Sequence, residues 1–353
     1  MAIVHSEDEL EKYVAQFPEC FDGGPLLLDS FLRNAIEIDV DAICDGKNVF
    51  VAGIMQHIEQ AGIHSGDSAC SIPPYSLSAE IMEEIKRQTR SIALGLKVKG
   101  LINIQFAVAN NEIYILEVNP RASRTVPFVA KATGVPVAKI ASLVMAGEKL
   151  KKLINIEKAE EKFDNLDYFA VKEVVFPFNK FAVSDVILGP EMKSTGEAMG
   201  IDKTFPLAFG KAQMGCNNNL PRTGNVFISV RDEDKQAMIS ISATLEELGY
   251  KIYATSGTAK YLSKNGINVN KVNKVADGSP HIVDLMSEGE IQLVINTTAG
   301  EKSIKDSYSI RRSAIIMKIP YTTTASGAKE VVRALKEINA KEHLDVTPIQ
   351  SYI

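Results

Sequence analysis

Between Leu101 and Arg121 the chain has very few ways to fold. Leu101 to Val108 and Ile113 to Val118 alternate in strand fashion on either side of a polar turn at Asn110 and Asn111. Ile102, Ile104, Phe106 and Val108 share one face of the first strand, and Tyr114, Leu116 and Val118 share one face of the second. Both faces need the same core, and a slip of one residue would turn one apolar set into solvent. The register that serves both sets Phe106 opposite Leu116 and Gln105 opposite Glu117, with Cβ atoms roughly 5 Å apart. It requires a three-residue turn or a bulge. Asn119 projects from the same side as Glu117, so Gln105, Glu117 and Asn119 form a cluster of oxygen donors of the kind Mg²⁺ shares with nucleotide phosphates. Arg121 and Arg124 add guanidinium donors beside it, and metal plus arginines point to phosphoryl transfer. An ordinary hairpin whose outer face carries Gln, Glu and Asn fits the spacing equally well.

At 353 residues the chain exceeds one typical core and predicts two domains with a connecting piece. A hydrophobic share of 45% with 24% charged residues argues against disorder, and a net charge of -5 offers no nucleic-acid surface. Cys20, Cys44, Cys70 and Cys216 are scattered without CxxC spacing, which indicates idle thiols rather than a zinc site or a disulfide framework. No apolar run approaches the roughly 18 residues of a membrane helix and no signal-peptide pattern opens the chain, so a cytoplasmic location without membrane contact is expected.

Ser6-Glu7-Asp8-Glu9 reads as a capping box before a helix over about 7 to 16. Strands are predicted at Leu26 to Asp29, Ile36 to Ile43 and Val49 to Ile54, with Asp45-Gly46 as a hairpin turn. Gly62 and Gly66 allow close backbone approach in the polar loop Ala61 to Ala69. A helix follows from Ser78 to Leu96, then helical stretches on either side of Gly134-Val135-Pro136, then a Lys/Glu-rich solvated segment from Glu148 to Asp167. A boundary at Cys216 to Thr223 precedes an α/β unit with strands at Asn225 to Val230, Lys251 to Ala254, Leu293 to Asn296 and Ala314 to Lys318. Its helices are expected near Lys235 to Leu248 and Gly327 to Asn339. Parallel strands place their ligand at the C-terminal strand ends. There Thr255-Ser256-Gly257-Thr258 opens a helix and Asn296-Thr297-Thr298 ends a strand, an arrangement fit for a phosphate.

The run His57-Ile58-Glu59-Gln60-Ala61-Gly62-Ile63-His64-Ser65-Gly66-Asp67-Ser68, followed by Gln105 and by Glu117-Val118-Asn119-Pro120-Arg121, closely resembles the large chains of carbamoyl phosphate synthetase, nearly to the C-terminus. The shorter motif recurs across the ATP-grasp superfamily, whereas the longer run narrows the resemblance to this enzyme. It implies the C-terminal part of a second ATP-grasp unit over 1–150, a connecting region over 151–216 and a methylglyoxal-synthase-like regulatory domain, a doubly wound parallel sheet, over 217–353. The first synthetase half and the glycine-rich phosphate loop of the second are expected to be missing, so the isolated chain is expected to be inactive.

By the same resemblance, ATP is the cofactor, with Mg²⁺ or Mn²⁺ on Gln105, Glu117 and Asn119 and K⁺ as a further ion. Leu28 to Leu32 would hold the adenine edge through backbone groups, Glu37 the ribose, and Gly62, Ile63, His64 and Ser65 the remaining nucleotide. Ser30 departs from the His of the best-known bacterial members. Arg121 and Arg124 would stabilise transferring phosphoryl charge. Glu59, Asp67, Glu173, Tyr321 and Thr323 match ornithine contacts. Lys235, Thr255, Thr258, Lys274, Asn296, Thr297 and Thr298 match positions that hold UMP or IMP. Ser256 and Glu301 differ from some bacterial members near that site and leave the effector open. The complete enzyme draws ammonia from a small glutamine amidotransferase chain. A nucleotide- and ornithine-binding module with an inert ATP-grasp remnant is the alternative. A methylglyoxal synthase would need proton-relaying carboxylates where this chain has Ser279-Pro280-His281 and Thr297-Thr298-Ala299.

Overall fold

Sheet pairing is the backbone of both halves of the molecule. The computed structural model describes residues 4, 6–16, 24, 26–32, 35–180, 185–298 and 300–353. Cys20 and Ala299 lie outside the described residues, as does the side chain of Glu301. The first helix, α1 (Glu7–Gln16), begins where the Ser6 hydroxyl accepts the Glu9 N–H at 3.2 Å, and it buries no residue.

The first sheet is built from β1 (Ile36–Asp45), β2 (Val49–Gln60) and β3 (Cys70–Ile72), then, after α2 (Ala79–Gly95), β4 (Lys99–Ala109) and β5 (Glu112–Asn119). Helices α3 (Val126–Thr133), α4 (Val137–Met145), α5 (Leu150–Leu153) and α6 (Ile156–Asp164) follow, before β6 (Phe169–Val175), β7 (Gly196–Asp202) and α7 (Phe205–Gly215). Its order is β5-β4-β1-β2-β3-β6-β7 with antiparallel neighbours throughout. Ile38, Val40, Ile54, Ile102, Ile104 and Phe106 form the buried centre against Ile85 of α2, Val129 of α3 and Ile140 of α4. Gly53 is glycine because a Cβ there would stand 2.8 Å from a Val129 methyl. No single helix among the described residues is long and apolar enough to cross a membrane; α3 and α4 pass that test only as a pair, bent by 118°.

The second sheet is wholly parallel. It contains β8 (Asn225–Ser229), α8 (Lys235–Glu247), β9 (Lys251–Thr255), α9 (Ser256–Lys264), β10 (Val269–Val272) and α10 (Ile282–Ser287). Then come β11 (Leu293–Asn296), α11 (Gly300–Ile316), β12 (Tyr321–Thr322) and α12 (Ala325–Asn339). The strand order is β10-β9-β8-β11-β12. Strand alternation sends Val226 and Ile228 to the face covered by Met238, Leu245, Val331 and Leu335, and Phe227 to the opposite face with Ile282, Met286 and Ile310. Both faces are therefore covered, as a doubly wound sheet requires.

The two sheets meet through α7. Gly200 of β7 lies so close under it that a Cβ would stand 2.1 Å from the Ala208 carbonyl oxygen and 2.3 Å from the Ala212 nitrogen. On its other side α7 packs on α12, where Ile338 and Ala334 approach Gly210. Phe205 stacks on Tyr75 with ring centroids 3.9 Å apart, and the Arg333 guanidinium sits 5.6 Å from the Phe205 centroid.

Three expectations are corrected. Leu26 to Asp29 is irregular, because both edges of β1 are already paired with β2 and β4 and no free ladder remains; Leu26, Leu27, Leu28 and Phe31 are exposed. Gln105 does oppose Glu117, but Phe106 opposes Ile115, since Leu116 is the extra residue of a bulge. That bulge reverses the alternation, so Ile113 and Val118 touch the core while Tyr114 and Leu116 are exposed. Ala314 to Lys318 closes α11, and the strand is Tyr321–Thr322. The Lys/Glu-rich segment lies largely exposed, as expected, and holds α5 and α6, anchored by buried Leu150 and Phe163.

Candidate functional site

Glu37, Asp39 and Asp41 alternate along β1 and so share one face. All three are buried, at 5%, 1% and 1% exposure. Register carries two polar rows across the sheet from this stripe. Asp39 pairs with Gln105 and Gln105 with Glu117; Asp41 pairs with Asn103 and Asn103 with Asn119. The predicted donors Gln105, Glu117 and Asn119 are thus brought together at the edge of the sheet.

Around Asp39 the charges are closely matched. His57 Nε2 lies 3.1 Å from Asp39 Oδ2 and His57 Nδ1 lies 3.7 Å from Glu37 Oε1. Burial pushes the Asp39 carboxyl up, but the His57 bond and charge, the Lys172 ammonium and the Gln105 amide outweigh it and hold the group below its ordinary range. Burial opposes charge on His57 too, yet Asp39 and Glu37 raise its pKa. Glu37 is raised, chiefly by burial, with the His57 charge and the Gly62 N–H opposing the shift. Asp39 Oδ1 and His57 Nδ1 are buried with no hydrogen-bond partner. Two orphaned buried polar atoms on neighbouring side chains of one stripe are what a ligand would satisfy.

Asp41 organises the neighbouring loop. It accepts the Thr125 hydroxyl at 2.7 Å, the Ser123 hydroxyl at 2.9 Å and the Asn103 amide at 3.0 Å. Burial lifts its pKa to about 6 despite those bonds. The loop so held carries Arg121 and Arg124, both exposed; Arg121 donates to the Ala122 carbonyl at 3.2 Å and Arg124 donates to the Met192 sulfur.

The donor set contains one carboxylate and two amides, and no group of three His, Cys, Asp or Glu side chains among the described residues could hold a metal. Gln105 stands opposite Asp39 in the register, and its amide helps hold that carboxyl low. These residues fit a hard divalent cation that is shared with phosphate oxygens, since the protein supplies too little charge to hold one alone.

The loop from Gly62 to Asp67 turns on Gly62, whose φ is +101°. Ile63 is buried, the Ser65 carbonyl accepts the Lys172 ammonium at 3.2 Å, and the His64 ring accepts the Gly66 N–H at 2.9 Å. Leu32 is partly buried, and the Phe31 ring lies 3.5 Å from where a Gly62 Cβ would stand. Asp67 is taken up by the Lys193 and Ser194 N–H groups.

A second acidic group sits where the two sheets approach. Glu59 accepts the Ala69 N–H at 2.7 Å, and Glu173 accepts the Gln213 side-chain amide. Burial pushes Glu173 up to about 8, with the Glu59 charge adding to it. Burial, then the Asp185 and Glu173 charges, push the Tyr321 phenol up. Glu59, Glu173 and Tyr321 therefore share one electrostatic environment; Thr323 follows two residues after Tyr321 and is partly buried.

At the C-terminal ends of the parallel strands a third group gathers. Ser229 and Thr255 hydroxyls lie 3.0 Å apart, Thr258 accepts the Val230 N–H at 3.3 Å, and Thr297 accepts the Arg231 N–H at 3.2 Å. Asn296 donates to the Ser229 carbonyl at 3.0 Å. Lys235 reaches over the N-terminus of α9, its Nζ 3.5 Å from the site of a Gly257 Cβ, while pairing with Asp232 at 2.6 Å. Thr298 is partly buried beside Thr297, and Lys274 is exposed beyond the end of β10.

Sequence reasoning missed Asp39, Asp41, Asn103, His57 and Lys172. The alternating acids of Glu37-Ile38-Asp39-Val40-Asp41 were the available signal, because three carboxylates on one face of an otherwise apolar strand cannot be ordinary core.

Residues 1–153 match the family model described as carbamoyl-phosphate synthase L chain, ATP binding domain, and residues 237–323 match the MGS-like domain. A carbamoyl phosphate synthase large chain of Rhizobium meliloti is 50% identical over 373 residues, covering 100% of this chain and 32% of its own length. The C-terminal section of the Aquifex aeolicus large chain is 52% identical, covering 96% of this chain and 65% of its own. A large chain from Methanoregula boonei is 52% identical, covering 100% of this chain and 33% of its own. The chain therefore spans about a third of the two longer relatives.

Proposed function

Because the chain belongs to the family of carbamoyl phosphate synthase large chains, we propose that it carries the metal- and arginine-bearing part of an ATP-dependent carbamate-phosphorylating site, joined to an effector-binding unit. The observation that carries this reading is the paired row Glu117, Gln105 and Asp39, with Asn119 in the next row and Arg121 and Arg124 on the loop fixed by Asp41.

In this reading Gln105, Glu117 and Asn119 hold Mg²⁺ or Mn²⁺ together with nucleotide phosphates, and Glu37 with the Gly62 to Ser65 loop borders the nucleotide. The metal, once bound, neutralises phosphate charge and aligns the transferred group. Arg121 and Arg124 stabilise charge as the phosphoryl group moves. Asp39, His57 and Lys172 bind the acceptor: His57 and Lys172 supply positive charge suited to a small anion such as carbamate, and Asp39 orients the imidazole. The carbamate would derive from bicarbonate and from ammonia delivered by the small amidotransferase chain. Glu59, Glu173 and Tyr321, with Asp67 and Thr323 nearby, suit an amine-bearing effector such as ornithine. The groups at Lys235, Thr255, Thr258, Lys274 and Asn296 to Thr298 suit the phosphate and base of UMP or IMP.

Calorimetric titration of the purified chain with UMP, IMP, ornithine and MgATP tests the parts separately. Saturable UMP or IMP binding supports the effector unit. Metal-dependent binding of ATP, lost in Glu117→Gln, supports the phosphoryl-transfer site; ATP binding that is indifferent to Glu117 would remove this carboxylate from it.

A further inference from the structure

Arg311 of α11 is the largest fully buried side chain among the described residues, at 1% exposure. Its guanidinium is spent on three partners, Asp185, Asn296 and Ile304, the first far away in the chain. Nε donates to Asp185 Oδ1 at 2.8 Å and Nη2 to Asp185 Oδ2 and the Ile304 carbonyl, while Nη1 donates to Asn296 Oδ1 at 3.3 Å. Asn296 ends β11 inside the phosphate-sized group of the second sheet. Asp185 begins a strap, residues 185–195, that runs back to the first.

The strap is tied at its far end to the loop that borders the nucleotide site. The His64 N–H donates to the Gly189 carbonyl at 2.8 Å. The Lys193 and Ser194 N–H groups donate to Asp67 at 2.8 Å, and the Ser194 hydroxyl donates to the Gly66 carbonyl at 2.6 Å. Lys193 Nζ closes the strap on itself by donating to the Ile187 carbonyl at 2.7 Å. Met192 then lies under Arg124. A buried guanidinium cannot be left unpaired and a bidentate pair admits one geometry, so Arg311 and Asp185 move together or not at all.

We propose that Arg311 is a positioning residue: through Asp185 it fixes the strap that holds His64 and Asp67, and through Asn296 it passes occupancy of the second sheet's phosphate-sized group to that loop. The second half of this statement rests on the effector reading above; the first does not.

Residue-resolved amide hydrogen exchange on the full chain separates the two. In Asp185→Asn, and in the double variant Asp185→Leu/Arg311→Met that leaves no orphaned charge, exchange at His64, Lys193 and Ser194 rises about tenfold or more, while Val226 to Ile228 of β8 stay protected. Unchanged exchange at those three amides in both variants overturns the proposal, as does equal acceleration in β8, which would make the pair a support of the fold alone. With saturating UMP, protection at His64 changes in the unsubstituted chain and not in Asp185→Asn, whose UMP affinity stays within about threefold. UMP binding that leaves His64 untouched in the unsubstituted chain overturns the relay. If neither UMP nor IMP binds, the effector reading and the relay that rests on it both fail, and the ligand-free exchange still decides the strap; if IMP alone binds, it takes the place of UMP in the same measurement.

Discussion

His57 Nε2 lies 3.1 Å from Asp39 Oδ2, with both residues at or below 2% exposure in the middle of the first sheet. The His57 pKa is raised, so its contribution to stability is complete below its unfolded value near 6.5 and is lost as pH rises through the folded one. The Asp39 pKa is lowered, so its contribution is complete above its unfolded value and is lost as pH falls through the folded one. The pair is strongest between about pH 4 and 6.5. His57→Gln should therefore cost most stability in that window, about 3 kcal/mol, and progressively less above it. Thermal unfolding of both proteins from pH 4 to 9 checks this, and a difference that grows with pH would refute it.

Glu173 behaves in the opposite sense to Asp39. Its pKa is raised to about 8 by burial and the Glu59 charge, so the folded protein keeps a proton that the unfolded chain has released above about pH 4.5. Stability falls as pH climbs from there to 8 and levels off beyond. Glu173→Gln should flatten that slope in a pH series of denaturant midpoints. An amine effector that needs the ionised carboxylate should release close to one proton on binding at pH 7 and almost none at pH 9. Titration of ornithine in buffers of different ionisation heat measures the number directly.

Glu117 is exposed at the sheet edge, so its removal should leave the fold intact. Glu117→Gln should shift the melting temperature by less than about 2 °C. It should weaken nucleotide-dependent Mn²⁺ binding, followed by electron paramagnetic resonance, by about tenfold or more. Mn²⁺ without nucleotide should bind weakly to both proteins, given one carboxylate among three donors.

Gly200→Ala should be among the most damaging small substitutions. The added methyl would meet the α7 backbone at 2.1 Å and 2.3 Å, atoms with no side-chain freedom to yield. A loss of about 3 kcal/mol or more is expected in chemical denaturation, whereas Gly249→Ala, with open space around it but φ +84°, should cost less, about 1 kcal/mol.

The sequence made the hairpin legible as far as its register at Gln105 and Glu117, because apolar alternation and the polar turn left few choices. It could not place the bulge at Leu116, since either a longer turn or an extra strand residue would satisfy the same pattern. Ala314 to Lys318 misled because short apolar runs look alike in a strand and in the last turn of a buried helix. The donors at the hairpin and the small polar residues at the strand ends were visible in the resemblance and in local chemistry. The Arg311 and Asp185 pair was not, because nothing local in either segment marks a partner 126 positions away.

Strands β6 and β7 enter the first sheet only after the whole hairpin region has been laid down, and the chain leaves them directly into α7, which is clamped between that sheet and α12. The C-terminal half thus rests on the first sheet through the packing of α12 on α7. Because α7 also lies on β6 and β7, and Lys172 and Glu173 ride on β6, a tilt of α12 that carries α7 with it would reach those two side chains as curvature of a shared beam.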